Sequence, residues 1–156
     1  MKILIKLAAV PVFFLYIAIL TKLILFKYHS FEQIMRLDIQ SPAWIHHNFV
    51  PFKTINFYLF LANINVNSRI ENLAGNLYGF IPFGLLLPLF FKKMRSLSSV
   101  VLATFLLSLA YELIQLVYRL GSFDVDDLIL NTAGGVFGYA AFKIGNFIWN
   151  VFFQKA

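Results

Sequence analysis

The chain has 156 residues and a formal net charge of +6. Apolar residues make up 60% and charged residues 13%, against about 45–50% and about 25% in soluble domains. A soluble domain this small lacks the polar surface to cover so much apolar side chain, which argues against a soluble enzyme, a disordered chain or a secreted mini-protein. The absence of cysteine excludes disulfides, thiolate metal sites and a Cys nucleophile.

What remains is an all-α, polytopic membrane protein, in which lysines and arginines report orientation more than nucleic-acid binding. A helix needs about 20 mostly apolar residues to cross the hydrocarbon. The first such stretch is 7–26, with Lys22 near enough to its end to snorkel. Lys2 and Lys6 before an apolar run also read as a signal peptide. No small-x-small cleavage site follows, so an uncleaved anchor is expected. A long connection, 27–71, comes next. Within it, 54–68 carries no charge, only apolar residues mixed with Asn56, Asn63, Asn65 and Asn67, so an interfacial or re-entrant segment is expected over about 48–68. The second span, 73–91, carries no charge and contains Pro82, which removes a helical hydrogen bond and predicts a kink. The third, 98–118, contains Glu112. The fourth, 128–147, has Lys143 near its far end and Trp149 at headgroup level beyond it. The prediction is one membrane domain over 1–156 with four spans and an extracellular segment between the first two.

Charge sets the orientation. The turn after the second span is Lys92-Lys93-Met94-Arg95, wholly basic. The turn after the third, with Asp124, Asp126 and Asp127, is mostly acidic. Lys2, Lys6 and Lys155 lie on the Lys92–Arg95 side of an even-span topology. Positive-inside then puts both termini in the cytoplasm and the Asp-rich turn outside.

The polar residues converge at one depth. Asn72 and Asn76 share a face at the outer end of span two. Glu112, Gln115 and Arg119 sit at i, i+3 and i+7 in span three, with Glu112 roughly 9 Å below its outer end. Asp127 and Asn131 are four apart at the start of span four. An intramembrane carboxylate costs about 2.5–3.5 kcal/mol even on the permissive insertion scale, so Glu112 should face the bundle interior, with Arg119 its nearest same-helix cation. The plainer reading is helix glue, since interhelical hydrogen bonds contribute about 0.6 kcal/mol each in such bundles. Asp127 also suits the positive end of a helix dipole. Gly75-x-x-x-Gly79 and Gly134-x-x-x-Gly138 read as close-packing steps.

No metal site is expected. The Asp124–Asp127 turn lacks the Gly and distal Glu of a calcium loop. His46 and His47 are adjacent and would point apart, and His29 is distant. Serine catalysis lacks a Gly-x-Ser-x-Gly elbow. Nucleic-acid binding lacks a basic stripe.

Four blocks carry a resemblance. Asn48-Phe-Val-Pro51-Phe52-Lys-Thr54-Ile55, Asn72 with Gly75-Asn76-Leu-Tyr-Gly-Phe80-Ile-Pro82-Phe-Gly84, Glu112-Leu-Ile-Gln115, and Phe123-Asp124-Val-Asp126-Asp127-Leu-Ile-Leu-Asn131-Thr-Ala-Gly134 resemble, in order and spacing, the VanZ-like family. One departure is that Gly121 and Ser122 stand where many members carry an Arg; here the Arg is at 119. The resemblance implies a small bacterial cell-membrane protein. It also implies a phenotype, low-level resistance to teicoplanin, a lipid-anchored glycopeptide, without a reaction.

The resulting ligand-binding expectation is Asn72, Asn76, Glu112, Gln115, Arg119, Asp124, Asp127 and Asn131. The partner is a membrane lipid, a lipid-linked cell-wall precursor or the lipoglycopeptide itself, with no cofactor. Arg119 would pair with phosphate or carboxylate. One alternative is a membrane enzyme acting on envelope lipids, with Glu112 and Asp127 as acid and base, though no nucleophile is evident. Another is a helper subunit of a membrane complex. Orientation is directly testable. A cysteine introduced at Ser122 should react with an impermeant maleimide in intact cells, and labelling only after permeabilisation would reverse the topology.

Overall fold

The computed structural model describes residues 2–26, 47–61 and 65–153. The stretch of the long connection that holds His29, Arg36 and His46 lies outside the described residues. Among the described residues there are five α-helices: α1 (Lys2–Leu25), α2 (Lys53–Asn56), α3 (Val66–Phe90), α4 (Leu97–Tyr118) and α5 (Val125–Phe153). A π-turn, Phe57–Leu61, continues α2, and a 3-10 turn, Lys92–Met94, links α3 to α4.

Two helices are long and apolar enough to cross a membrane, through Asn72–Phe90 and Leu97–Tyr118, with mean hydropathies of 1.6 and 2.0. Only 28% and 33% of these windows are buried, and most of the remaining residues are at least partly accessible. That is the reverse of a soluble core helix and suits a lipid environment. The apolar stretch Val10–Leu25 of α1 is shorter. The apolar character of α5 is diluted by Asn131, Thr132, four glycines, Lys143 and Asn146. Helix α3 starts at Val66, ahead of its apolar window, and so takes in the end of the segment expected to lie in the interface. It runs on through Pro82 and Pro88. The missing prolyl N–H groups leave the carbonyls four residues earlier without their usual helical donors, which membrane helices tolerate.

The described residues divide into two compact units. The first takes in α1, residues 47–61, α4 from Leu107 and the chain as far as Leu128. Here α1 and α4 meet through polar contacts. Thr21 Oγ1 donates to the Ile17 carbonyl at 2.7 Å and lies 2.8 Å from the Tyr111 hydroxyl. Its single proton is taken by Ile17, so Tyr111 is the donor of that pair. Gln115 Nε2 donates to the Ile24 carbonyl at 3.2 Å. Helix α4 closes with Leu120 N–H on the Gln115 carbonyl at 3.0 Å and Arg119 in the left-handed region, φ 55°. This is the Schellman geometry, usually given to glycine.

The second unit holds α3, the earlier part of α4 and the rest of α5. Phe80, Val100 and Thr104 are fully buried in it. The helices approach closely at glycines. A Cβ on Gly138 would run into the Ile81 carbonyl, and one on Gly84 into the Gly135 carbonyl. Gly134 and Gly138 therefore form the packing face expected of them. Gly75 does not, because a Cβ there would meet nothing within 4 Å. Spacing alone cannot say which glycine step has a helix across from it.

These contacts separate two glycines experimentally. Gly138→Leu should lower thermal stability in detergent by about 1–3 kcal/mol, because backbone cannot move aside. Gly75→Ala should raise it by about 0.5–1 kcal/mol. Equal effects would disprove the packing assignment.

Candidate functional site

The candidate site lies in the first unit and starts from the beginning of α5. A helix leaves its first N–H groups without partners, and Asp124 caps them. Its Oδ1 accepts the Asp126 N–H at 2.8 Å, and its carbonyl accepts that of Asp127 at 3.2 Å. The same carboxylate reaches a segment some seventy residues earlier in the chain. Asp124 Oδ1 accepts Asn48 Nδ2 at 2.8 Å and Oδ2 accepts the Thr54 hydroxyl at 2.6 Å. Asn48 Nδ2 also donates to Thr54 Oγ1 at 3.1 Å, which closes a triangle.

Asn48 is held by its backbone as well. Its N–H donates to the Phe123 carbonyl at 2.8 Å and its carbonyl accepts Val125 N–H at 3.0 Å, an isolated parallel bridge. Its Oδ1 accepts the Val50 N–H at 3.0 Å, an Asx turn that starts the bend. Asparagine suits the position because its amide supplies two donors and an acceptor. An aspartate there would set a second carboxylate against Asp124.

Asp126 completes the attachment. Its Oδ1 accepts Phe52 N–H at 2.5 Å, and its Oδ2 accepts Thr54 N–H at 2.7 Å and Ile55 N–H at 3.0 Å. These are the unpaired donors at the start of α2. Phe52 adopts a left-handed conformation, φ 65° and ψ 3°, rare for a bulky residue, and its N–H is the one on Oδ1. From α4, Glu112 Oε2 accepts the Asp124 N–H at 2.7 Å. Over the outside, Phe49 stacks on Phe123 with centroids 5.2 Å apart, and His47 Nδ1 accepts the Phe123 N–H at 3.0 Å.

The carboxylates are thoroughly enclosed. Asp126 is 0% exposed, Glu112 2% and Asp124 9%. Donors take the place of water, which is what a buried carboxylate requires. The oxygens of Asp124 and Asp126 already face N–H and O–H donors, a donor set suited to holding backbone amides. Among the described residues no group of three or more His, Asp or Glu is placed to hold a metal ion.

Of the eight residues that depth, helical spacing and the acidic turn single out, the structure joins Glu112 and Asp124 by a direct hydrogen bond. Asp127 is half-buried beside them in the first turn of α5. Gln115 is buried, and its amide serves the α1 carbonyl, a helix-to-helix contact. Arg119 departs from the expected stripe. Helix α4 ends at Tyr118, and the left-handed turn at 119 carries this side chain to an exposed position with no ion pair among the described residues. Asn72, Asn76 and Asn131 belong to the second unit, Asn131 buried and the other two half-buried.

Asn48, Thr54 and Asp126 lie outside those eight. Helical periodicity cannot select Asn48 and Thr54, because they lie outside the long helices and act across seventy residues. The usable clue is chemical: an Asp-x-Asp at a helix start carries more acceptors than one cap needs.

An all-helical chain with long apolar helices that are only about a third buried, and a buried polar lock in one unit, is thus the class of protein in hand. A family model described as VanZ/LLP1 matches residues 13–149, and the chain belongs to that family. It is 33% identical over 132 residues to Protein VanZ of Enterococcus faecium, a match covering 85% of this chain and 71% of that protein. No solved structure matches it.

The lock predicts a local effect. Asp126→Asn places an amide NH2 against N–H donors, so it should cost about 1–3 kcal/mol of stability. Hydrogen exchange at Phe52, Thr54 and Ile55 should quicken, and unchanged exchange there would refute the role of Asp126.

Proposed function

We propose that this VanZ/LLP1 protein is a multi-pass membrane protein of the bacterial envelope. In this reading it binds the headgroup of a lipid-linked cell-wall precursor or of a lipoglycopeptide, and so contributes to low-level tolerance of teicoplanin-type antibiotics. Four helices, α1, α3, α4 and α5, cross the bilayer with both termini in the cytoplasm. The ligand meets the residue 47–56 loop and the end of α4 on the outer side.

The observation that carries this reading is the division of labour in the loop. Its backbone is tied down by Asp124 and Asp126, while Phe49, Val50 and Phe52 are 66%, 59% and 56% exposed and Lys53 is exposed beside them. Exposed aromatic and branched side chains on a fixed backbone suit the apolar part of an amphiphile. Lys53 and the exposed Arg119 suit its phosphate or carboxylate. Glu112, Asp124 and Asp126 then act by holding the loop and leave the ligand contacts to residues around them. Membership of the VanZ/LLP1 family supports the antibiotic side of the proposal.

Lys53→Gln and Arg119→Gln, expressed at wild-type levels, should each weaken teicoplanin binding to the reconstituted protein by about tenfold, the worth of a charge-assisted hydrogen bond. Tolerance should fall in parallel while exchange at Phe52 and Thr54 stays slow. Wild-type binding and tolerance in the double variant would overturn the proposal.

A further inference from the structure

We infer that the second unit carries a separate binding site, a groove between the end of α3 and the later part of α5 that seats the acyl chain of an anionic phospholipid. The groove has a volume of about 300 Å³ and is lined by Leu85, Leu89, Phe142, Gly145, Asn146 and Trp149, among others. Its wall is apolar apart from Asn146. Gly145 leaves a notch in it, since a Cβ there would meet nothing within 4 Å. An apolar slot on a lipid-facing surface suits a hydrocarbon chain. Trp149, 56% exposed, marks the depth at which that chain meets its headgroup.

Charge selects the kind of lipid. Lys92, Lys93 and Arg95 follow Leu89 within six residues, and all three are exposed. The turn that bears them is fastened to α5, because the Tyr139 hydroxyl donates to the Arg95 carbonyl at 2.9 Å. Lys143 adds a fourth cation, exposed, with its Nζ 5.8 Å from the Tyr139 ring centroid. Residues 72–111 and 128–156 contain no Asp or Glu, so no carboxylate from these stretches neutralises the group. Basic side chains beside a hydrocarbon slot fit a phospholipid of negative headgroup in the leaflet on the Lys92–Arg95 side. The zwitterionic headgroup of phosphatidylcholine would gain little there. The inference rests on the membrane-spanning reading but uses none of the residues assigned to the outer headgroup contacts, so loss of headgroup binding leaves it standing.

The test uses the full chain carrying Trp44→Phe, which leaves Trp149 as its one tryptophan. It is reconstituted in phosphatidylcholine vesicles containing brominated phosphatidylglycerol or, at equal mole fraction, brominated phosphatidylcholine. Bromine quenches tryptophan on contact. Trp149 should be quenched more strongly by the phosphatidylglycerol. Each of Lys92→Gln and Lys93→Gln should reduce the apparent preference by about fivefold at low salt, and Lys→Arg at both positions should keep it. Added salt should weaken it. Gly145→Leu, which fills the notch, should reduce quenching by both lipids. A cysteine at Ser122 checks that each variant keeps its orientation. Equal quenching by the two lipids makes the groove ordinary lipid-facing surface and overturns the inference. No quenching by either means that another protein surface, such as a second copy, covers it, which also overturns the inference.

Discussion

The carboxylate of Asp126 has no exposure to solvent, yet it ties the start of α5 to the residue 47–56 loop through three hydrogen bonds. Stripping water from a carboxylate is costly unless donors replace the water. Three backbone N–H groups, from Phe52, Thr54 and Ile55, do so. The arrangement works in both directions. The donors at the start of α2 need an acceptor, and the carboxylate needs donors. The path of the loop follows, including the left-handed turn at Phe52, after which the Phe52, Thr54 and Ile55 N–H groups meet the two oxygens while that of Lys53 goes to the Val50 carbonyl. Asp124 extends the same logic by capping α5 and holding Asn48 and Thr54. Glu112 receives the Asp124 N–H, so an α4 side chain joins the lock.

Burial of this kind separates the inward polar backbone of the loop from its exposed side chains. The polar backbone turns inward to the aspartates, which leaves Phe49, Val50, Phe52 and Lys53 on the outside. A loop presenting so many large apolar side chains to water would be a liability in a soluble protein. At a membrane surface such exposure is tolerated, because the interface accepts aromatic side chains. The second unit uses a different device. Its helices approach through backbone, at Gly84, Gly134, Gly135 and Gly138, where lipid offers no hydrophobic incentive to associate and close van der Waals contact takes over.

Much of this was legible in the amino-acid pattern. Hydropathy located α3 and α4, since uninterrupted apolar runs have few alternatives to helix in lipid. The Gly134 and Gly138 step was legible as a packing face. Glu112 stood out because a carboxylate inside an apolar run must have a reason. The misreadings share one cause. Gly75 looked equivalent to Gly134, and Arg119 looked like the next residue of the Glu112 stripe, because spacing assumes a continuous helix with a neighbour opposite. The Schellman turn at Arg119 breaks the first assumption, and the open side of α3 at Gly75 breaks the second. Gln115 satisfied the stripe and yet serves an α1 carbonyl.

By itself, the sequence determined that the chain is helical, that its helices are too apolar for water, and that acidic residues gather at the start of α5 while basic residues gather after α3. Composition and local periodicity settle these properties, because they depend on each residue and its near neighbours along the chain. The tertiary structure alone decided that Asn48 and Thr54 would meet Asp124 and that Asp126 would hold α2. The reason is physical. Hydrogen-bond donors and acceptors are common, and which of them pair across seventy residues depends on where backbone turns bring unpaired N–H groups next to a carboxylate that has lost its water.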